Sequence, residues 1–212
     1  MSWSSFELTK KFKISLALSV LYLLFLTAIS PFLFLIIQKR QGFVPPDPLL
    51  ALFPPTDVSD EIFFTLYLFI ILTVIYVIRK PRLLLFALQA YGLMMTMRFI
   101  TLFLVPLDAP PGIVTLRDPM ARIFFYEDGG ITKDLFFSGH AATLFLFFFI
   151  VENVALKYSI LIGAIVLSVL LLTIHTHYSY DVLAAPLFAY AAYRITGRVF
   201  GTPLTLIQNL SK

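Results

Sequence analysis

Six apolar segments separated by polar connections make up most of the chain. They cover residues 14–37, 62–78, 83–105, 135–151, 158–174 and 180–200. Each segment is a continuous apolar run and not an alternation of apolar and polar residues. A helix of about 20 apolar residues spans a bilayer core. A helix also satisfies its own backbone hydrogen bonds in lipid. The pattern predicts an all-α membrane protein, a six-transmembrane-helix bundle that forms a single domain over residues 1–212.

The composition agrees with lipid as the surrounding solvent. Hydrophobic residues make up 59% of the chain and charged residues 13%, and Phe alone occurs 23 times. A soluble domain averages about 25% charged residues, so the polar groups here are too few to cover the apolar surface. The first segment follows the basic stretch KKFK. It is too long for a signal peptide and lacks a convincing cleavage site, which predicts a retained membrane helix.

Two further features of the composition exclude classes of function. The chain has no Cys, which excludes disulfides, a thiolate nucleophile and a Cys-based metal site. Its net charge of +4 is not arranged as a basic stripe interleaved with aromatic residues. We therefore predict that the chain does not bind nucleic acid and that its partner is the membrane bilayer.

The distribution of charge orients the predicted bundle. With both termini on one side, that side carries ten of the 16 Lys and Arg residues, whereas ten of the 12 acids lie on the other. Lys and Arg favour cytoplasmic loops, and the short RKPR turn at 79–82 is the strongest single indication. We predict cytoplasmic N- and C-termini, with the connections at 38–61 and 106–134 and the joint at 175–179 facing outward.

Ionisable residues gather at the outward ends of the predicted helices. Ionisable side chains at membrane depth are candidates for function. The set includes all three histidines of the chain, and consists of Arg98, Lys133, Asp134, His140, His175, His177 and Asp181.

The spacing within HTHYSYD, residues 175–181, suits nucleophilic chemistry. His177 and Asp181 are four residues apart, so on a helix they share a face. The carboxylate then accepts one ring N–H and leaves the other nitrogen as a nucleophile or base. His140, on another helix, is a candidate general acid and base.

The start of the fourth segment suits an anion. Ser138 and Gly139 fit the beginning of a helix, where exposed N–H groups and the helix dipole bind groups such as phosphate. Arg98 is a candidate for clamping the same anion through two parallel hydrogen bonds. These three residues therefore complete a candidate phosphate-binding site.

Simpler interpretations stay open for the individual residues. His140 alone fits an interhelical hydrogen bond, and Arg98 fits a side chain that extends to the membrane interface. His175, His177 and Asp181 include ligand types for a metal ion. Against that site, no fourth ligand is evident, and histidines two residues apart diverge on a helix.

Four stretches of the sequence carry a family resemblance. FFSGH at 136–140 and HYSYDVLAA at 177–185 resemble motifs of the sphingomyelin synthase branch of the phosphatidic acid phosphatase type 2 superfamily. RFITLFLVPL at 98–107 and PPTDVSDEIFF at 54–64 also look like stretches of that branch. The similarity covers residues 54–195, and the paired histidine motifs are its specific part.

The resemblance implies a role for each matched residue. It implies that His177 is the nucleophile that attacks a lipid phosphodiester and that Asp181 orients it. It implies that His140 protonates the departing diacylglycerol oxygen and then deprotonates the incoming alcohol. Asp134 and His175 also match positions in the family motifs. In that branch, a head group moves from a glycerophospholipid to ceramide.

The chain also departs from the superfamily pattern. The phosphatases carry a Lys-and-Arg motif that ends in Arg-Pro, and a Ser-Arg pair before the second histidine, where Leu170 and Leu171 stand here. A phosphodiester carries one negative charge and needs fewer cations than a phosphomonoester, so Arg98 and Lys133 favour a diester. The chain lacks the long cytoplasmic extensions of animal members and their cysteine before the first motif, which favours a compact bacterial relative in the inner membrane.

The leading hypothesis is a lipid phosphotransferase that uses a phospholipid donor, a ceramide or diacylglycerol-type acceptor and a phosphohistidine at His177, with no metal or cofactor. Water as the acceptor gives phospholipase C-type hydrolysis. The alternatives are a phosphatase for lipid phosphates or polyprenyl diphosphates, and a non-catalytic lipid-binding membrane protein.

Overall fold

The computed structural model describes residues 9–117 and 131–201. Over this part of the chain the structure is all-α, as predicted, and the helices follow the order of the six apolar segments. The helices are α1 (Lys10–Lys39), α2 (Ser59–Ile78), α3 (Pro81–Leu104), α4 (Gly139–Ile150), α5 (Val154–Thr173) and α6 (Ser179–Phe200). A 3-10 turn, Leu50–Leu52, lies in the connection between α1 and α2.

Four of the described helices, α1, α2, α3 and α5, are long and apolar enough to cross a membrane. The helix α6 has 22 residues but carries Asp181, Arg194 and Arg198, and it is not among the four. The helix α4 has only 12 residues, which corresponds to about 18 Å. The structure therefore supports a multi-pass helical membrane bundle in which four of the six helices meet both criteria.

The predicted start of the fourth helix at residue 135 is wrong. The helix begins at Gly139, because Ser138 is its N-cap and has extended backbone dihedral angles. Apolar residues at 135–137 extended the hydrophobic pattern beyond the helix. Leu135 and Phe137 are buried nonetheless, so the segment before α4 is a part of the core and not of the lipid-facing surface.

The short helix α4 lies at the centre of the bundle. It packs against α2, α3, α5 and α6, and Ala141, Ala142 and Leu144 are fully buried. By contrast, α1 packs mainly on α3 and exposes leucines such as Leu18 and Leu21. Apolar side chains exposed on the outer helices are typical of a surface that faces lipid, while α4 is screened from it.

The connections on either side of the α2–α3 pair meet on one face of the bundle. The backbone N–H of Phe43 donates to Pro106 O at 2.9 Å, and that of Asp108 donates to Phe43 O at 3.0 Å. At Gly42, a Cβ atom would lie 2.5 Å from the backbone carbon of Leu107, so this approach requires glycine. The two predicted outer connections are therefore packed together.

Two carboxylates fasten these connections. Asp108 pairs with Lys133 at 2.5 Å and accepts a hydrogen bond from Gly42 N at 3.1 Å. Asp57 pairs with Arg117 and accepts from the hydroxyl of Ser59, the first residue of α2, at 2.7 Å. This face of the bundle is thus stabilised by ion pairs and hydrogen bonds rather than by apolar contacts alone.

Acid is expected to weaken this face. The hydrogen bond from Lys133 holds the pKa of Asp108 below its ordinary value. A carboxyl group with a depressed pKa stabilises the fold above its unfolded pKa of about 3.9, and that contribution is lost as the pH falls through the folded value. We expect the wild type to lose thermal stability below about pH 4 more steeply than Asp108→Asn, which starts from a lower melting temperature.

Circular dichroism of the detergent-solubilised protein measures both melting curves. The matched control is Asp60→Asn in the first turn of α2, which removes a carboxylate without removing the Lys133 pair. If the melting temperatures of wild type and Asp108→Asn fell equally steeply with pH below about pH 4, the stabilising role assigned to the Asp108 carboxylate would be contradicted.

Candidate active site

The start of α6 holds the predicted histidine and aspartate pair. Nδ1 of His177 lies 3.3 Å from Oδ2 of Asp181, and the same oxygen accepts from the Tyr178 backbone N–H at 3.0 Å. His177 precedes Tyr178, the N-cap of α6. The contact is therefore present but does not arise from two positions on one helix face, as the sequence spacing suggested. A turn before the helix brings the imidazole onto the first-turn carboxylate.

The start of α4 lies directly against the start of α6. The backbone N–H of Ser138 donates to the carbonyl oxygen of Asp181 at 3.1 Å, and the Ser138 hydroxyl accepts from Ala141 N at 3.4 Å. His140 belongs to the first turn of the same helix. The structure therefore brings the beginnings of the two motif-bearing helices together, with His140 in the first turn of α4 and His177 just before the N-cap of α6.

His140 is half-buried, and its ring makes an edge contact with Phe63 of α2, with the centroids 6.2 Å apart. His177 and Asp181 are more deeply buried, with exposed fractions of 3% and 0%. The site is thus shielded by α2 beside His140, and the His177–Asp181 pair is buried within the bundle. A low-dielectric environment of this kind strengthens hydrogen bonds to charged groups.

Arg98 of α3 completes the group. Its side chain is only 2% exposed, and Nη2 pairs with Oδ1 of Asp134 at 2.6 Å. A Cβ atom at Gly139 would lie 2.9 Å from Arg98 Nε, so the guanidinium packs directly on the first residue of α4. Nη1 is buried and has no hydrogen-bond partner among the described residues.

The two helix starts differ in electrostatic character. In α6, Asp181 occupies the first turn, and Asp47 accepts from the Ser179 N–H at 2.6 Å. In α4 the first turn has no acidic residue, and the Arg98 guanidinium lies beside it. Because helix N-termini attract anions, an incoming phosphate is favoured at α4, whereas carboxylates already occupy the start of α6.

The structure does not bring His175 and Lys133 to this group. Both ring nitrogens of His175 face backbone carbonyls, Nδ1 to Pro111 O at 2.9 Å and Nε2 to Phe53 O at 2.7 Å. Lys133 bonds to Arg40 O at 2.6 Å in addition to its pair with Asp108. Both residues therefore fasten the outer connections.

The alternative metal site is not assembled. Within residues 9–117 and 131–201, no group of three His, Asp or Glu side chains is arranged to hold a metal ion. His175, one of the three proposed ligands, directs both nitrogens to carbonyl oxygens. His177 and Asp181 instead form a hydrogen-bonded pair, which is the arrangement expected if Asp181 orients His177 as a nucleophile.

Sequence reasoning missed the residues that support the site from the outer connections. Asp47 caps α6, and the Tyr178 hydroxyl donates to Asp108 O at 3.0 Å. Burial, together with the nearby carboxylates, raises the pKa of Tyr178 to about 12, so its hydroxyl stays a donor. No local signal marks the role of Asp47 at α6, because a capping Asp acts on the residues that follow it directly, whereas Ser179 lies 132 positions away.

A protein-family match covers both helix starts. Residues 133–198 match the family described as PAP2 superfamily C-terminal. The match supports the phosphatidic acid phosphatase type 2 superfamily. It supports a lipid phosphatase or phosphotransferase type of activity, without specifying the substrate or the branch. No curated protein and no solved structure gives a significant match to the chain.

Removal of Asp134 alone is expected to destabilise the protein, because it leaves Arg98 buried and unpaired. Asp134 is 26% exposed at its side chain, so we expect a loss of about 1–3 kcal/mol for Asp134→Ala. The double variant Arg98→Met/Asp134→Ala removes both charges, and we expect it to lose less than Asp134→Ala.

Unfolding by SDS titration in mixed micelles measures these free energies. The control is Glu152→Ala, which breaks the exposed pair Lys80–Glu152 and should cost about 0–1 kcal/mol. A double variant at least as unstable as Asp134→Ala would show that burial of the unpaired Arg98 charge does not govern the stability of this site.

Proposed function

We propose that the protein is a lipid phosphotransferase that moves a phospholipid head group, with its phosphate, to a ceramide or diacylglycerol-type alcohol through a phosphohistidine at His177. The observation that best supports the proposal is the hydrogen bond from Ser138 N to Asp181 O at 3.1 Å. This bond holds the start of the His140 helix against the start of the helix that follows His177, which supports a shared reaction centre for the two histidines.

In the first half-reaction, Nε2 of His177 attacks the phosphorus of the phospholipid. The Nε2 lone pair forms the N–P bond, and the bond from phosphorus to the diacylglycerol oxygen breaks. Asp181 accepts the Nδ1–H hydrogen bond, which fixes the tautomer and stabilises the positive charge that develops on the ring. Protonated His140 donates its proton to the departing oxygen, so diacylglycerol leaves as a neutral alcohol.

In the second half-reaction, the acceptor alcohol attacks the phosphohistidine. His140, now neutral, takes the hydroxyl proton while the new P–O bond forms. The N–P bond breaks, and its electron pair returns to Nε2 of His177. Atoms and charges balance over the two steps, and His140 ends protonated, as it began. Water in place of the alcohol gives hydrolysis of the same intermediate.

Arg98 and the start of α4 are suited to bind the phosphate oxygens. The free Nη1 is a donor, and the first turn of α4 contributes the positive end of its dipole without an opposing acid. Because Nη2 is paired with Asp134 and Lys133 with Asp108, little net positive charge remains on the described residues around this site. That supports a phosphodiester, which carries one negative charge, over a phosphomonoester.

The proposed location is a bacterial inner membrane, with the site facing outward. Positively charged residues on the RKPR side and acids on the other support cytoplasmic termini. The connections that fasten the site would then be periplasmic, and the substrate would come from the outer leaflet. The sphingomyelin synthase-like branch remains part of the proposal, on the strength of the motifs at 136–140 and 177–185.

Purified protein in nanodiscs, supplied with a head-group-labelled phospholipid with and without ceramide, tests the proposed reaction. We expect ceramide-dependent transfer, and loss of both transfer and hydrolysis in His177→Ala. His140→Ala should lower the rate by about 10²–10⁴-fold, the usual contribution of a general acid and base.

An activated aryl phosphodiester separates the two roles, because its leaving group needs no proton. With this donor, His140→Ala should still form the phosphohistidine, which mass spectrometry would locate at His177, but should turn it over slowly. Phosphate release from monoesters at rates far above diester turnover would move the assignment to a lipid phosphatase. Activity retained in His177→Ala would overturn the mechanism, and no turnover of any of these esters would favour a non-catalytic lipid-binding protein.

A further inference from the structure

The connection between α1 and α2 is fastened onto the first turn of α6. Oδ2 of Asp47 accepts from the Ser179 backbone N–H at 2.6 Å, and its Oδ1 accepts from the Ser179 hydroxyl at 2.8 Å. The carbonyl oxygen of Pro46 accepts from the Tyr180 hydroxyl at 2.8 Å. Three hydrogen bonds therefore join this connection to Ser179 and Tyr180. These two residues lie in the sequence between His177, the proposed nucleophile, and Asp181.

The Asp47 carboxylate is itself held in place. Oδ1 also accepts from the Leu50 backbone N–H at 2.9 Å, at the start of the 3-10 turn. Burial opposes the charge, but the hydrogen bonds from Leu50 and Ser179 outweigh it and lower the pKa of Asp47. A carboxylate at a helix N-terminus also complements the helix dipole. Asp47 therefore presents fixed acceptors to α6 at neutral pH.

The geometry of His177 explains why such a support matters. The residue lies before the N-cap of α6, so the regular hydrogen bonds of the helix do not hold its backbone. The bond from its ring to Asp181 is long, at 3.3 Å. A displacement of about 1 Å between reacting groups is sufficient to lower a rate about 100-fold. The position of this imidazole therefore depends on how firmly the start of α6 is held.

We propose that Asp47 is a positioning residue of the active site, which holds Ser179 and thereby fixes the turn that presents His177 to the phosphorus. This inference rests on the proposed phosphotransfer at His177. It assigns a function to the proline-rich connection at 40–58, which lies far from α6 in the sequence. Asp47 acts through the turn and needs no contact with the substrate.

The chain supplies a closely matched control. Oδ1 of Asp57 accepts from the Ser59 backbone N–H at 3.1 Å and from the Ser59 hydroxyl at 2.7 Å. Ser59 is the first residue of α2, as Ser179 is of α6. Asp57→Ala therefore removes the same types of bond from the same helical position, on a helix that carries neither His177 nor Asp181.

Kinetics of transfer and hydrolysis test the consequence for activity. We expect Asp47→Ala to lower kcat by roughly 10- to 100-fold with little change in KM, because the nucleophile and not the lipid contacts is displaced. Ser179→Ala should have a smaller effect, because it removes only the hydroxyl bond. Adding it to Asp47→Ala should change little, since Asp47→Ala already removes that bond. Asp47→Asn keeps one oxygen that can accept from the Ser179 N–H, and its NH2 group can donate to the Ser179 hydroxyl but cannot accept from the Leu50 N–H, so it should recover only part of the loss. Asp57→Ala should leave kcat within about twofold of the wild type.

A second measurement decides the positioning role without relying on turnover. The protein has three histidines, so selective ¹⁵N labelling of the imidazoles gives three ring environments, assigned by substituting each histidine in turn. We expect Asp47→Ala to move and broaden the His177 signals and to speed hydrogen exchange at the Ser179 amide, whereas Asp57→Ala leaves both unchanged.

The outcomes separate the two proposals. Unchanged His177 signals and an unchanged Ser179 amide in Asp47→Ala would overturn the positioning role, and so would equal losses of kcat in Asp47→Ala and Asp57→Ala. A wild type that neither transfers nor hydrolyses any phosphate ester would overturn the proposed function, while the imidazole spectra would still show whether Asp47 holds the turn.

Discussion

The carboxylate and carbonyl of Asp181 are the point on which the site depends. One side-chain oxygen receives the Tyr178 N–H and lies beside the His177 ring, and the backbone carbonyl receives Ser138 N–H. A single fully buried residue in the first turn of α6 thereby holds the imidazole of His177 and the start of α4. Burial of a carboxylate is unfavourable unless it is hydrogen-bonded, so Asp181 and the turn that surrounds it must form together.

The arrangement of charge around this point divides the site into two halves. The α6 half is rich in carboxylates, with Asp47, Asp108 and Asp181 all acting on Tyr178. The α4 half carries the Arg98 guanidinium on its first residue and no acid in its first turn. An imidazole held by carboxylates is suited to accept positive charge, and an N-terminus beside a cation is suited to accept an anion. The division agrees with the proposed mechanism, in which the nucleophile lies just before α6 and the phosphate binds at the start of α4.

The helices and much of the candidate site could be predicted from the sequence, because both are encoded locally. Continuous apolar segments define membrane helices, and a serine and glycine before an apolar stretch define a helix start. The contact between His177 and Asp181 was predicted for a partly wrong reason, since a turn and not a continuous helix brings them together. The start of α4 was misplaced because buried residues of an extended segment continue the same apolar pattern.

The supporting residues could not be predicted, because their partners lie far away in the sequence. Asp47 meets Ser179 across 132 positions, and His175 meets Phe53 across 122. Sequence position made His175 and Lys133 resemble substrate-binding residues, whereas the folded chain uses them to join loops. Only the tertiary structure determines which of several neighbouring ionisable residues face the reaction centre and which fasten the connections around it.

Chemical-shift mapping with a phosphonate analogue of a phospholipid tests the division of the site most directly. Amide and guanidinium ¹⁵N signals of the labelled protein in nanodiscs would be followed during the titration. We expect the signals of the Gly139 and His140 amides and of the Arg98 side chain to shift together, while those of the Ser179 and Tyr180 amides stay unchanged. Shifts confined to the start of α6, with Arg98 unaffected, would contradict phosphate binding at α4.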